Sequence, residues 1–168
     1  MEATEDLDNL HQITLFNSLL ETGVRAVVVL NAAYPKTFDL FQITWFDHLV
    51  VHTKDIDGPE SLHPDLPCRS GELLVRRRLI EESLKMMQLL HLVNVFPEDN
   101  GIVYQASDDA NSFVELMRSK YACALKSRSE WLANNFCNMD KEQMKKFIND
   151  KIGRWDIEFQ NGESDWRN

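Results

Sequence analysis

Two short β-prone runs, Leu92-Val93-Asn94-Val95-Phe96 and Ile102-Val103-Tyr104-Gln105-Ala106, flank Pro97-Glu98-Asp99-Asn100-Gly101, and this segment constrains the fold more than any other. Its closing Asn100-Gly101 pair supplies the positive φ that a tight hairpin turn needs. A lone hairpin is marginal in water, so it must lean on what precedes it. What precedes it is helical. Ser18-Leu19-Leu20-Glu21 has the Ser-x-x-Glu form of a capping box, and Leu20, Val24, Val27, Val28 and Asn31 follow at helical spacing until Pro35. Thr37 to Asp39 can cap a second helix reaching about Val51, with Ile43, Phe46, Leu49 and Val50 on one face. Ser70 starts a third, in which Leu73, Ile80, Leu84, Met87 and Leu90 share one side while Val75, Leu79 and Met86 widen the apolar surface. That width predicts burial on two sides.

After the hairpin, Ser107 can cap one long helix through Phe113, Met117, Tyr121, Leu125, Leu132 and Phe136, and Asp140 with Gln143 repeats the capping pattern for a last one. Three helices followed at once by a hairpin is the order of a winged helix-turn-helix. The expected fold is therefore mainly α, a winged helix-turn-helix-like core of three helices plus a β-hairpin wing, with C-terminal helices. Its length of 168 residues, 43% hydrophobic, suits one core. The expected organisation is an acidic N-terminal extension over 1–14, one domain over 15–152 and an irregular acidic tail over 153–168.

No run approaches the roughly 18 apolar residues of a membrane helix, and Met1 to Asn9 is acidic where a signal peptide is basic. A cytoplasmic protein with no membrane partner is expected. Cys68, Cys123 and Cys137 are irregularly spaced, without a Cys-x-x-Cys pair, which points to free thiols. The formal charge of -9 argues against coating nucleic acid by bulk electrostatics. It conceals an asymmetry: residues 1–66 hold three basic side chains against eleven acidic, residues 118–154 nine against four.

The candidate contact residues are Arg76-Arg77-Arg78 with Arg69 upstream, because a guanidinium fork matches phosphate and carboxylate. Successive helical positions lie about 100° apart, so the three cannot share one face, and nearby Glu72, Glu81 and Glu82 can pair with them. His48, His52, Asp55, Asp57, His63 and Asp65 are metal-ligand types, and His48 and His52 sit one helical turn apart. Leu49 replaces the Glu of a His-Glu-x-x-His motif, however, and turn capping by Asp55, Asp57 and Ser61 accounts for the loop without a metal. Gly-x-Ser-x-Gly and a Gly-rich phosphate loop are both missing. Trp155 and Trp166 are candidate partner anchors, whereas Trp131 beside Leu132 and Phe136 reads as core.

Three stretches carry a family resemblance: Leu15 to Ala26, the loop His52-Thr53-Lys54-Asp55-Ile56-Asp57-Gly58-Pro59-Glu60-Ser61-Leu62-His63-Pro64-Asp65-Leu66-Pro67, and Arg69 to Arg77. They resemble the middle component of bacterial three-component ABC ATPase conflict systems, a group that includes the Lamassu antiphage and antiplasmid systems with their small C subunit. The resemblance covers about residues 15 to 136. It implies a non-catalytic, cofactor-free adaptor between a large ATPase of the structural-maintenance-of-chromosomes (SMC) and double-strand-break-repair type and an effector subunit, often a nuclease. DNA contact is then left to the assembled complex. The loop residues His52, Asp55, Asp57, Gly58, Pro59, Ser61, His63, Pro64 and Asp65 form its signature, structural or interfacial. Two other readings predict different behaviour: a DNA-binding winged-helix transcriptional regulator, and a metal-dependent hydrolase using the His/Asp cluster.

Overall fold

Ser18 opens the first helix as its hydroxyl allows, accepting a hydrogen bond from the Glu21 N–H at 3.2 Å in a computed structural model that describes residues 18–64 and 70–152. The N-terminal extension, Asp65, Cys68, Arg69, Trp155 and Trp166 lie outside those residues. Helix α1 (Leu19–Ala32) contains Val27, Val28 and Val29, whose branched side chains are poor helix formers. Tertiary burial outweighs that propensity, since Val27 and Leu30 are both 0% exposed.

After α1 the chain makes a two-residue strand that the sequence did not announce, β1 (Phe38–Asp39). Asp39 then caps α2 (Leu40–Val51) with a full capping box: its carboxylate accepts from the Gln42 N–H at 2.8 Å, and its own N–H donates to Gln42 Oε1 at 3.0 Å. Phe41 and every residue from Ile43 to Val51 are buried, so α2 is the central helix. A single 3₁₀ turn, Thr53–Ile56, follows.

Helix α3 (Ser70–Leu89) buries Ile80, Leu84 and Met87 completely. The expected burial on two sides is met only in part: Met86 packs against the core, whereas Val75 is 69% exposed and Leu90, expected on the buried side, 54%. His91, at φ 60°, turns the chain into β2 (Val93–Glu98) and β3 (Gly101–Ala106). They pair antiparallel from Val93 opposite Ala106 to Glu98 opposite Gly101, with Gly101 at φ +133° closing the Asp99–Asn100 turn. Tyr104 and Val103 of β3 pair in turn with Phe38 and Asp39, giving the order β1-β3-β2. The expected sequence of three helices and a hairpin is thus present, with β1 fastening the hairpin to the helices.

The single long helix expected from Ser107 is two helices, α4 (Ala110–Leu116) and α5 (Lys120–Phe136). Ser107 is occupied elsewhere, donating its hydroxyl to the His91 carbonyl at 2.6 Å. Met117 is extended and Ser119 caps α5 by accepting from the Ala122 N–H, which ends one helix and starts the next. Helix α6 (Lys141–Ile152) begins at the expected Asp140–Gln143 box and buries Met144 and Ile148 beside α2. Among the described residues no helix is long and apolar enough to cross a membrane.

Candidate functional site

Asp47 is the one acidic residue in the mainly apolar α2, and its side chain is 0% exposed. A buried carboxylate must be paired. Arg25 of α1 supplies a two-pronged guanidinium, Nε to Oδ1 at 2.5 Å and Nη2 to Oδ2 at 3.2 Å, and Arg76 of α3 donates Nη1 to Oδ2 at 2.7 Å. Burial by itself would raise the Asp47 carboxyl, but the two guanidiniums hold it below its ordinary range. Burial likewise works against the Arg25 charge, and Asp47 more than restores it.

The chain of contacts continues toward the loop. Arg25 also hydrogen-bonds the Tyr121 hydroxyl from α5, and that hydroxyl lies 2.8 Å from His63 Nε2. Burial first, then the nearby Arg25 and His52, pushes His63 down to about 4, so its ring is neutral at pH 7. The Tyr121 hydroxyl thus links the neutral imidazole to the guanidinium, its oxygen accepting from Arg25. Desolvation and His52 push His48 down to about 3. Its 3.9 Å approach to Asp55 is therefore not an ion pair at neutral pH. The His48 and His52 rings sit 4.6 Å apart, one turn apart on α2 as the spacing predicts, and His63 meets His52 edge-on at 6.2 Å. Among the described residues no group of three His, Cys, Asp or Glu side chains could hold a metal ion.

The signature loop is held by its own chain. The Val51 carbonyl accepts from the N–H groups of Leu62 and His63, at 3.0 and 3.1 Å, which closes the loop. Inside it Thr53 Oγ1 donates to the Pro59 carbonyl at 2.7 Å, and the Lys54 N–H donates to Ser61 Oγ at 3.2 Å. Helices α5 and α6 cover it: Arg128 donates to the Glu60 carbonyl at 2.9 Å, and Lys151 meets Asp57, itself at φ 60°, at 2.6 Å. Asp55 and Pro64 are exposed, whereas His52 is buried.

Gly58 explains the tightness of that seat. A Cβ built there would lie 2.6 Å from the Trp131 ring and 2.8 Å from the Thr53 carbonyl oxygen. Gly58→Ala is therefore expected to cost about 1–3 kcal/mol by overpacking. A urea midpoint for Gly58→Ala equal to that of the natural chain would show that the loop yields instead.

The arginine triplet is divided between faces. Arg76 turns inward to Asp47, Arg77 is half-buried and Arg78 is exposed. Arg25, Asp47 and Tyr121 are not among the residues that the sequence alone marks as a site. The available signal is a charge within the apolar run of each helix, Arg25 among the valines of α1 and Asp47 in α2, since charged residues are almost never fully buried unless paired.

What the geometry builds is a junction. Arg25, Asp47, Arg76, Tyr121 and His63 tie α1, α2, α3, α5 and the loop into one unit, and their polar groups are spent on one another. No curated protein and no solved structure matches the chain. A family model does, that of the ABC-three component (ABC-3C) system Middle Component 2, over residues 15–158. The match runs past α5 and α6 to include Trp155, well beyond the end expected near residue 136, and stops short of Trp166. Covering most of its length, the match makes this chain a member of the ABC-3C middle component 2 family.

Proposed function

We propose that the chain is a non-catalytic adaptor of a Lamassu-type defence complex, acting in the cytoplasm to bridge an SMC-like ABC ATPase and an effector nuclease. Membership of the middle-component family carries this reading, because a component of a three-component ABC system implies protein partners such as an ATPase and an effector. The internal chemistry is in keeping with it. His48 and His63 are held neutral by burial, and Asp47 is engaged by two arginines, which is how groups that fix a scaffold are arranged. Helix, strand, helix, helix, hairpin with strand order β1-β3-β2 supports a winged-helix-type scaffold.

A DNA-binding regulator draws less support, since Arg76 is turned onto Asp47. Co-expression with the ATPase and effector encoded beside it tests the adaptor reading. One complex containing all three chains is expected on size exclusion. A chain that elutes alone, with the other two paired without it, would overturn the proposal.

A further inference from the structure

Between Lys85 and Arg118 the chain carries no Lys or Arg, although it has 18 in all, and it carries five acidic residues: Glu98, Asp99, Asp108, Asp109 and Glu115. This stretch contains the hairpin. It also contains Leu89, Leu90, Phe96, Ile102 and Leu116, all large apolar side chains exposed among the described residues. Apolar exposure and a single sign of charge therefore coincide along this segment, the cations Arg77 and Lys85 of α3 acting on Tyr104 in the inner half of the hairpin, away from its tip.

The register shows how the apolar groups are displayed. Side chains alternate across a strand, so Val93 and Val95 with Tyr104 and Ala106 lie on the face that reaches the core. Further out on that same face Pro97 stands opposite Ile102, which is 52% exposed. On the reverse face Phe96, 42% exposed, stands opposite Val103. The outer half of the hairpin is thus apolar on both sides and ends in Glu98 and Asp99. An apolar hairpin tip exposed on both faces and bordered by charge offers a partner two sides to grip.

We propose that the β2–β3 hairpin is the face through which this chain docks on a partner protein whose contact surface is apolar at its centre and carries Lys and Arg at its rim. This rests on the adaptor reading and deepens it by naming the surface. Charge complementarity selects the partner: Glu98 and Asp99 would repel a phosphate backbone and attract a basic rim. Docking runs through side chains and not through strand addition. β2 is an edge strand, but Pro97 within it has no N–H to offer a further strand.

The test uses the full chain co-expressed with the ATPase and effector subunits encoded beside it, comparing natural protein with Phe96→Ser/Ile102→Ser, Glu98→Lys/Asp99→Lys and the control Leu20→Ser. Leu20 is 55% exposed in the first turn of α1, outside the hairpin. Circular dichroism melting confirms that each variant folds. The apolar double variant is expected to weaken binding to one of the two subunits about 30-fold, the scale of losing interface hot spots. The charge-reversed variant should associate more slowly at low salt, with the difference shrinking at high salt, and Leu20→Ser should bind normally. Unchanged binding by Phe96→Ser/Ile102→Ser sinks the hairpin surface while leaving the adaptor reading standing. If the natural chain binds neither subunit, both fall. Self-association in sedimentation that the double variant abolishes, with subunit binding intact, assigns the face to a second copy and also overturns the proposal.

Discussion

Asp47→Ala is expected to lower the unfolding free energy by about 3–5 kcal/mol, the usual cost of leaving a buried charge without its partner. Arg25, 4% exposed, would then stand against Arg76 with no carboxylate between them. Replacing all three by apolar residues, Arg25→Met with Asp47→Leu and Arg76→Met, is expected to be far milder, because the desolvation penalty disappears along with the attraction. Urea unfolding of the single and triple variants makes the comparison. A single variant within about 0.5 kcal/mol of the natural chain, the ordinary range of surface substitutions, would mean that the triad does not hold the helices together. The acid side has a defined sign. The folded Asp47 carboxyl titrates below its ordinary value, so its contribution is present above about pH 4 and is lost as pH falls through the folded value.

Stability is also expected to begin falling well before the carboxylates titrate. The folded pKa values of His48, about 3, and His63, about 4, lie below the ordinary 6.5, so the unfolded chain binds protons that the folded chain refuses. Stability is then full above pH 6.5 and declines as pH drops toward those folded values. For His48 the slope is about 1.4 kcal/mol per pH unit, or about 2 kcal/mol between pH 6.5 and 5. His63 contributes less, because solvent reaches part of its ring and screens the charge. His48→Gln should flatten this limb, and a titration of the His48 ring protons by NMR should find it neutral at pH 5. A ring that protonates near 6.5 would disprove the burial argument.

The elements were legible wherever a local interaction starts or stops them. Asp39, Asp140 and the Asn100-Gly101 turn act within a few residues, and each stands where the sequence placed it. The failures have one origin. β1 exists only because Tyr104 is there to pair with Phe38, and two residues carry no strand signal by themselves. The break at Met117–Ser119 was hidden because an apolar helical period runs straight through it, while Ser107, the expected cap, is drawn to His91 across the hairpin base. The buried width of α3 is only partly legible for the same reason, since a pattern shows which residues are apolar and not which of them, Met86 but not Val75, find a neighbour.

The candidate site divides similarly. The loop from His52 was recognisable as a unit, and Gly58 within it, but its reason, the Trp131 ring packed against the glycine, comes from α5. Arg76 was singled out beside Arg77 and Arg78 as an outward contact, and it turns inward because Asp47 lies buried within its reach. By itself the sequence determined the hairpin, the capped helix starts and the order of three helices before a wing, because these depend on backbone chemistry between near neighbours. Only the tertiary structure decided that the hairpin is pinned to the helices through β1, and that the charged residues of α1, α2 and α3 converge. Those outcomes depend on which groups lose water together, and that is settled by packing across the whole chain.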